Sequence, residues 1–320
     1  MLRTEKQDQD DGSRPMIVVL GPTGSGKSEL ALQIAVRFKG EIVSCDSLQI
    51  YRLFNIGTAK LTFEQRRGTA HHLIDIADPS EVFTAGDYAR RGRAVLHEIA
   101  GRGGLPVVVG GTGFYLRALL EGLFPGPKRN ERTRADLSRR EKVRPGSLHR
   151  ILKRLDPGSA GRIHPNDVNK TMRALEVRLL EREAMSELFA KGRDSLTGFT
   201  PVKIGLNPPR RALYERLDAR AARMFDEGLI EEARKILSQG VPPDAKPFES
   251  LGYRQALQVI EGGIAREDAV ASTQLETRRY SKRQMVWFRR EKDVRWFDGF
   301  GDDAAVQDAV LRSLDVQFGR

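Results

Sequence analysis

Short apolar runs that end at glycine or aspartate are the first regular feature of the chain. PMIVVL at 15–20 stops at a glycine, EIVSC at 41–45 stops at an aspartate, and LPVVVGG at 105–111 ends in a glycine pair. Runs of this length with β-branched members predict buried parallel strands. Between them, residues 29–38 and 88–103 repeat apolar side chains at helical spacing. Strands that alternate with helices predict an α/β fold, in which helices wrap a parallel sheet.

The pattern changes near Pro125. From there to residue 196 the chain has turn residues and dense charge but no apolar run of strand length, which favours helices. VKIGLNPP at 202–209 then predicts a returning strand, and from Arg210 onward the pattern is helical almost to the end. The predicted organisation is a flexible tail at 1–14, an α/β core with C-terminal helices at 15–127 and 197–320, and an inserted helical domain at 128–196.

The composition is that of a globular protein without a membrane span. Hydrophobic residues make up 39% of the 320 residues and charged residues 30%, which is too apolar for a disordered chain. No run approaches the roughly 18 apolar residues of a membrane helix, and the polar N-terminus lacks the apolar stretch of a signal peptide. Cys45 is the single cysteine, which excludes an intrachain disulfide. We therefore expect a cytoplasmic protein with no membrane partner.

Positive charge is concentrated in one part of the chain. The formal net charge is +11, and residues 128–195 hold 18 Lys/Arg against 10 Asp/Glu, a surplus of +8. Such a surplus favours a polyanionic partner, because lysine and arginine neutralise phosphates. The inserted domain is therefore the expected nucleic-acid surface.

GPTGSGKS at 21–28 matches the phosphate-binding pattern G-x-x-x-x-G-K-[ST], and it lies between a predicted strand and a predicted helix. Its glycines permit a tight turn in which backbone amides surround phosphate oxygens. Lys27 adds a positive charge at the terminal phosphate, and the Ser28 hydroxyl is placed to bind Mg²⁺. A glycine-rich helix cap would leave Lys27 without a purpose. The pattern predicts a P-loop NTPase-like core whose phosphate-binding residues are Gly21, Pro22, Thr23, Gly24, Ser25, Gly26, Lys27 and Ser28.

The carboxylate that completes many P-loop sites is missing from its usual place. Enzymes of this fold that hydrolyse nucleotides carry an acidic residue at the end of a later strand, but the third apolar run ends in Gly110, Gly111 and Thr112. By topology the nearest carboxylate is Asp46, at the end of the second run. It has three possible roles: it binds Mg²⁺ through water, caps the next helix, or acts as a base.

Seven further strings, together with the phosphate-binding loop, resemble the tRNA dimethylallyltransferase (tRNA isopentenyltransferase) family of the bacterial type in motif, order and spacing. The likeness spans about residues 15–298. The strings are DSLQIYR at 46–52, GTAK at 57–60, HHLID at 71–75, GGTGFYLRALLEG at 110–122, HPND with RALEV at 164–177, LGYRQ at 251–255 and TRRYSKRQMVWFRR at 277–290.

The resemblance implies prenyl transfer to tRNA. The dimethylallyl group of dimethylallyl diphosphate would move to N6 of the adenosine immediately 3′ of the anticodon, in tRNAs that read codons starting with U. The donor has no nucleoside, so the loop needs only to hold a diphosphate with Mg²⁺ as cofactor, and the missing acid is explained. We expect the chain to act as a monomer.

The resemblance also assigns the catalytic residues. Lys27 and the loop amides would stabilise the negative charge that grows on the diphosphate. Asp46 matches the family's catalytic aspartate and would take the proton of the exocyclic amine. Thr112 matches the threonine beside the transferred group, and Arg220 the arginine that steadies the diphosphate. From its own sequence context, Arg220 has the pattern of an exposed helix arginine.

The implied tRNA contacts fall in five parts of the chain. An adenine stacked in a stem-loop has to be extruded before it can react, and Gln49 has the donor and acceptor pair that suits adenine, although capping a helix is the alternative role. The implied contacts are Asp46, Ser47, Leu48 and Gln49; Arg134; Asn169, Lys170, Thr171, Met172 and Arg173; Gly252, Tyr253 and Arg254; and Arg278, Lys282 and Arg283.

The segment 277–290 has six basic residues, no acidic residue and three aromatic residues, a combination suited to phosphate contact and base stacking. An amphipathic helix with a basic solvent face gives the same pattern. We expect Met285, Val286 and Phe288 to face the core, the aromatic side chains to be mostly structural, and the basic residues to face outward.

Three other functions compete with the tRNA hypothesis. A P-loop kinase for a small molecule or nucleoside would use ATP and Asp46 as base, but it needs no basic platform. An adenylate prenyltransferase acting on free AMP, ADP or ATP is nearer, and the basic insertion argues against it. A noncatalytic RNA-binding protein would be expected to show a damaged loop or a lost Asp46, and both are intact.

Overall fold

A parallel sheet forms the centre of the chain. The computed structural model describes residues 13–181 and 183–319. Within them, six parallel strands pair in the order β3-β2-β4-β1-β5-β6. The strands are β1 Arg14–Leu20, β2 Gly40–Ser44, β3 His71–His72, β4 Leu105–Val109, β5 Phe199–Asn207 and β6 Val294–Asp298. The predicted α/β class is confirmed. Residues 1–12 of the predicted tail lie outside the described residues, whereas Arg14 already belongs to β1.

Helices connect the strands and follow them. They are α1 Lys27–Phe38, α2 Ala85–Gly101, α3 Gly113–Glu121, α4 Glu131–Val143, α5 Ser147–Leu155, α6 Pro157–Arg162, α7 Val168–Glu181, α8 Met185–Ala190, α9 Arg210–Asp226, α10 Leu229–Ser238, α11 Tyr253–Ile260, α12 Arg266–Phe288 and α13 Ala304–Gln317, with short 3₁₀ turns at Glu64–Arg66 and Lys246–Glu249. In the described part of the chain, none of them is long and apolar enough to cross a membrane.

The apolar runs become the buried middle of the sheet. Ile17, Val19 and Val107 are at most 1% exposed, and β1 is paired on both sides, with β4 and β5. Strands that are covered on both faces bury consecutive side chains, which explains why the runs do not alternate with polar residues. Leu30 and Ile34 of α1 pack on this layer. The carboxyl ends of β1, β2 and β4 therefore meet at one edge.

Two strands were not predicted. The chain from Arg210 was expected to be helical almost to its end, yet Val294–Asp298 forms β6 at the edge of the sheet. Its side chains are partly exposed or exposed, so the segment lacks the apolar run that marks a central strand. Trp296 instead packs over Gly205, where an added Cβ would lie 2.6 Å from the indole ring. The two-residue β3 is too short to leave any pattern.

Backbone contacts divide the chain into two compact units. The core unit comprises the described residues up to Leu120 and from Leu196, and the inserted unit is Glu121–Ser195. The expected insertion began at 128, but residues after Glu121 already pack within the inserted unit. Phe124, for example, packs against Phe189 with the ring centroids 4.5 Å apart.

The inserted unit has its own core. Leu148, Leu152 and Leu175 are at most 1% exposed and belong to one apolar cluster. Beside it lies the fully buried carboxylate of Glu176, which accepts hydrogen bonds from both Arg134 and Arg173. Buried charges need such partners, because an unpaired carboxylate in an apolar interior is costly.

Candidate active site

The phosphate-binding loop adopts a preformed conformation between β1 and α1. Gly24 and Gly26 have φ angles of 77° and 80°, which residues other than glycine rarely adopt. An added Cβ at Gly24 would lie 2.7 Å from Leu217, and one at Gly26 would lie 2.4 Å from the Asp302 carboxylate. Lys27 donates a hydrogen bond of 2.6 Å to the carbonyl of Pro22. The loop therefore encloses its lysine and leaves no room for a side chain at either glycine.

Lys27 is electrostatically unusual. Burial lowers the pKa of its ammonium to about 7, the carboxylate of Asp46 opposes this shift, and the guanidinium of Arg220 adds to it. A negatively charged ligand in the loop would favour the charged ammonium. Lys27 is thus placed to gain a proton when an anion binds.

Asp46 follows β2 and lies at the carboxyl edge of the sheet. Its Oδ1 accepts hydrogen bonds from the amides of Leu48 at 2.9 Å and Gln49 at 3.4 Å, so the carboxylate caps the turn that follows. Thr112, after β4, accepts a 3.1 Å hydrogen bond from the amide of Ser47 and donates its own amide to the Cys45 carbonyl. The ends of β2 and β4 are thereby joined beside the carboxylate.

Two adjoining cavities meet at this edge. One of about 470 Å³ contains the phosphate-binding loop, and the other of about 440 Å³ contains Ser47, Leu48 and Arg254. The residues that line both cavities are Thr23, Asp46, Thr58, Arg220, Met224 and Tyr280. A ligand in one cavity would therefore face a ligand in the other across Asp46 and Arg220.

Helix α9 carries three arginines toward the loop. Arg216, Arg220 and Arg223 all line the first cavity, because residues four and three positions apart share a helix face. Arg220 lies 3.5 Å from the hydroxyl of Thr23, and burial lowers the pKa of its guanidinium. The structure thus places Arg220 in the site, where the sequence context alone had favoured an exposed position.

Comparison with known proteins identifies the family. Residues 49–291 match the family model described as IPP transferase. The chain is 57% identical over 297 residues to the tRNA dimethylallyltransferase of Solibacter usitatus, covering 93% of this chain and 97% of that relative. The chain belongs to the IPP transferase family. The match to the family model begins after the phosphate-binding loop and Asp46, whereas the alignment to the relative covers 93% of the chain.

Solved structures of family members share the fold. The tRNA isopentenylpyrophosphate transferase of Bacillus halodurans is 34% identical, with a TM-score of 0.69, covering 96% of this chain and 98% of its own. A eukaryotic dimethylallyltransferase described as acting on tRNA is 27% identical, with a TM-score of 0.82, covering 96% of this chain and 80% of its own. The prediction from the sequence motifs is confirmed at the level of the family.

Of the predicted base-reading residues, Gln49 lines the first cavity, and its side-chain amide is already engaged. Its Oε1 accepts a hydrogen bond from the hydroxyl of Ser44 at 3.1 Å, and its Nε2 donates to the carbonyl of Thr58 at 3.2 Å. An adenine that used this amide would have to replace one of these bonds. Ser47 and Leu48 line the second cavity directly.

Tyr253 needs a correction. The resemblance assigned it to tRNA binding, but its side chain is fully buried, and its hydroxyl donates to Glu232 and accepts from the Gly57 amide at 3.1 Å. A buried ring has no surface to offer a nucleic acid. Gly252 begins α11 with a φ of 89°, and Arg254 lines the second cavity while it pairs with Glu276. Tyr253 is therefore a core residue that supports the loop lining both cavities.

The residues predicted at the start of α7 separate into two groups. Asn169 and Lys170 are exposed, but Thr171 and Met172 are 1% and 8% exposed. One turn of helix cannot present five successive side chains to the same ligand. Thr171 and Met172 are therefore corrected to core positions.

Arg134 and Arg173 have a structural partner. Both guanidiniums bind the buried carboxylate of Glu176, and the side chain of Arg134 is only 17% exposed. Arg173 also donates to the Pro127 carbonyl. These two arginines hold the inserted unit together, and a phosphate contact would compete with that role.

Helix α12 presents both predicted and unexpected residues. Lys282 and Arg283 are exposed as expected, whereas Arg278 pairs with Asp218 at 2.5 Å. Val286, expected in the core, is 47% exposed. Among the aromatic residues, which were expected to be mostly structural, Tyr280 lines both cavities.

The sequence did not single out Arg216, Arg223 or Gln284 as site residues. The spacing of the two arginines relative to Arg220 indicated a shared helix face. Gln284 lies in a string with six basic residues, and this string was interpreted from its charges.

Proposed function

We propose that this chain transfers the dimethylallyl group of dimethylallyl diphosphate to N6 of the adenosine immediately 3′ of the anticodon in tRNA. Family membership and the tRNA dimethylallyltransferase named above support prenyl transfer to tRNA. The observation that carries the proposal is the pair of cavities sharing Asp46 and Arg220. One cavity suits a diphosphate, and the other suits an acceptor base.

The first cavity has the groups that a diphosphate leaving group needs. Lys27, Arg220 and the amides of the loop are fixed where negative charge grows as the C1–O bond breaks, and such preorganised charge lowers the barrier. The same cavity has apolar walls that suit a five-carbon prenyl group, including Ile42, Ile74 and Val109.

A magnesium ion fits beside the loop. Ser28 lines the first cavity, and its hydroxyl would bind Mg²⁺ together with diphosphate oxygens, since Mg²⁺ commonly takes few protein ligands at phosphates. No cluster of three metal-binding side chains occurs in the described residues, which agrees with a metal held mainly by its substrate. When bound, the ion would help to neutralise the departing diphosphate.

Asp46 is the base in this proposal. N6 of the adenine attacks C1 of the donor, the C1–N6 bond forms as the C1–O bond breaks, and the N6 proton moves to the carboxylate. The amides of Leu48 and Gln49 orient the carboxylate from one side. Thr112 acts through Ser47, whose backbone it holds next to Asp46.

The acceptor side is basic and open to a nucleic acid. Arg254 and Arg283 line the second cavity and would contact phosphates around an extruded adenosine. Lys282 adds positive charge next to Arg283 on α12. The surplus of +8 over residues 128–195 supplies the larger electrostatic attraction to tRNA.

A competition experiment tests the proposal. The protein is incubated with Mg²⁺, dimethylallyl diphosphate, an anticodon stem-loop with adenosine 3′ of the anticodon, and equimolar AMP. We expect one five-carbon unit at N6 of that adenosine, and no transfer after the metal is chelated. Transfer only to AMP would identify an adenylate prenyltransferase. A parallel reaction contains ATP in place of dimethylallyl diphosphate, and phosphoryl transfer there, with no prenyl transfer in the first reaction, would identify a kinase.

A further inference from the structure

Gln284 connects the two halves of the site through a single side chain. It lies on α12, is 6% exposed, and makes two hydrogen bonds of 2.8 Å. Its Oε1 accepts from the amide of Thr23, the third residue of the phosphate-binding loop, and its Nε2 donates to the carbonyl of Gly111. One primary amide thus spans the loop after β1 and the loop after β4.

The residues around Gln284 leave space for this contact and line the site. An added Cβ at Gly111 would lie 2.2 Å from Nε2 of Gln284, so the backbone approaches as closely as only glycine allows. Tyr280, one turn earlier on the same face of α12, lines both cavities. Burial raises the pKa of the Tyr280 hydroxyl, so this ring stays neutral. The inner face of α12 is therefore a wall of the active site.

Each anchor of Gln284 leads to a predicted catalytic group. Thr23 carries the hydroxyl that lies 3.5 Å from Arg220. Gly111 directly precedes Thr112, whose hydroxyl holds the backbone of Ser47 next to Asp46. A change in the length or polarity of this bridge would move the leaving-group side relative to the base.

We propose that Gln284 is a positioning residue that sets the distance between the diphosphate site and the acceptor site. The inference rests on the proposed function. Because the Thr23 amide donates to Gln284, this amide holds the shape of the loop. The remaining loop amides and Lys27 would bind the phosphate. Correct placement of two reactants contributes strongly to rate, and a shift of about 1 Å costs roughly 100-fold.

Two substitutions and one matched control test the proposal. Gln284→Met keeps the length of the side chain and removes both hydrogen bonds. Gln284→Asn keeps the amide but is one methylene too short to reach both anchors. The control is Ser281→Ala on the same helix, because Ser281 is 1% exposed and its hydroxyl donates only to the Arg278 carbonyl of its own helix.

The assay is single-turnover prenyl transfer to the stem-loop with enzyme in excess. Its amplitude reports the folded, competent fraction, and its rate constant reports the geometry of the reacting groups. We expect the rate constant to fall about 100-fold in both Gln284 variants at unchanged amplitude, and to change less than about twofold in Ser281→Ala. A fall in amplitude with a wild-type rate constant would show that Gln284 only supports the fold, and would overturn the proposal.

Binding of inorganic pyrophosphate with Mg²⁺ gives a readout that needs no turnover. Loss of the Thr23 anchor should weaken pyrophosphate binding by Gln284→Met by about 2- to 10-fold relative to Ser281→Ala, the range for one hydrogen bond. Equal affinities in the two variants would contradict the anchoring role. If the wild-type protein transfers no prenyl group, the proposed function fails, and the pyrophosphate comparison still decides whether Gln284 anchors the loop.

Discussion

Diphosphate binding should weaken as the pH rises above 7, because Lys27 has to be charged to hold the ligand. In the protein without ligand, burial lowers the pKa of Lys27 to about 7 from an ordinary value of 10.5. A bound diphosphate adds negative charge beside the ammonium and raises its pKa again. Binding above pH 7 therefore takes up a proton, whereas binding at pH 6 does not need one.

The size of the effect follows from the pKa of Lys27. Without ligand, Lys27 is charged in about nine tenths of the molecules at pH 6 and in about one tenth at pH 8. If the pKa in the complex lies well above 8, the dissociation constant rises about tenfold between pH 6 and pH 8 from this group alone.

Calorimetric titration with magnesium pyrophosphate measures this effect. Pyrophosphate itself also loses protons in this range, so Lys27→Arg serves as the control, because arginine stays charged and shares the ligand's own titration. Wild-type protein should lose about tenfold more affinity than Lys27→Arg between pH 6 and pH 8. Buffers with different ionisation heats should show that, at pH 7, the wild type takes up about half a proton more on binding than Lys27→Arg does. Equal pH dependence in the two proteins would refute the reasoning.

Three further predictions concern single residues. Asp46→Ala should lower turnover at least 100-fold with tRNA affinity unchanged by filter binding, and a loss of affinity alone would remove Asp46 as the base. An added Cβ at Gly301 would lie 2.7 Å from the Gly26 carbonyl, so Gly301→Ala should raise the KM for the donor about tenfold. Gly101 has open space around it, so Gly101→Ala should leave this KM unchanged. Equal KM values in the two variants would contradict the prediction. Glu176→Ala should lower the free energy of unfolding in urea by about 3–5 kcal/mol, whereas the partly exposed Glu183→Ala should cost under about 1 kcal/mol; similar losses would argue against the buried cluster.

The parts of the fold that could be predicted are those where burial controls the sequence. β1, β2 and β4 are covered on both faces, so each needs a run of apolar residues, and glycine or aspartate follows where the chain turns into the site. β6 was not predicted because it lies at the edge of the sheet, pairs through its backbone, and packs Trp296 over Gly205 without an apolar run.

The site was predictable where a short motif carries the chemistry. The phosphate-binding loop is one such case, because the glycines and Lys27 have to be consecutive or nearly so. Tyr280 and Gln284 lie within the string at 277–290, but the string does not reveal their role, because that role depends on α12 packing against loops far earlier in the chain, such as the one at Gly111. Tyr253 shows the opposite error, because a residue within a motif can serve packing instead of binding, and here its ring is buried.

The most direct test of the central claim, prenyl transfer to tRNA, is mass spectrometry of nucleosides from the tRNA of cells that lack this protein. We expect N6-isopentenyladenosine next to the anticodon to disappear, to return with the wild-type protein, and to stay absent with Asp46→Ala. Persistence of the modified nucleoside at its normal level, in cells with no second protein of this family, would contradict the account.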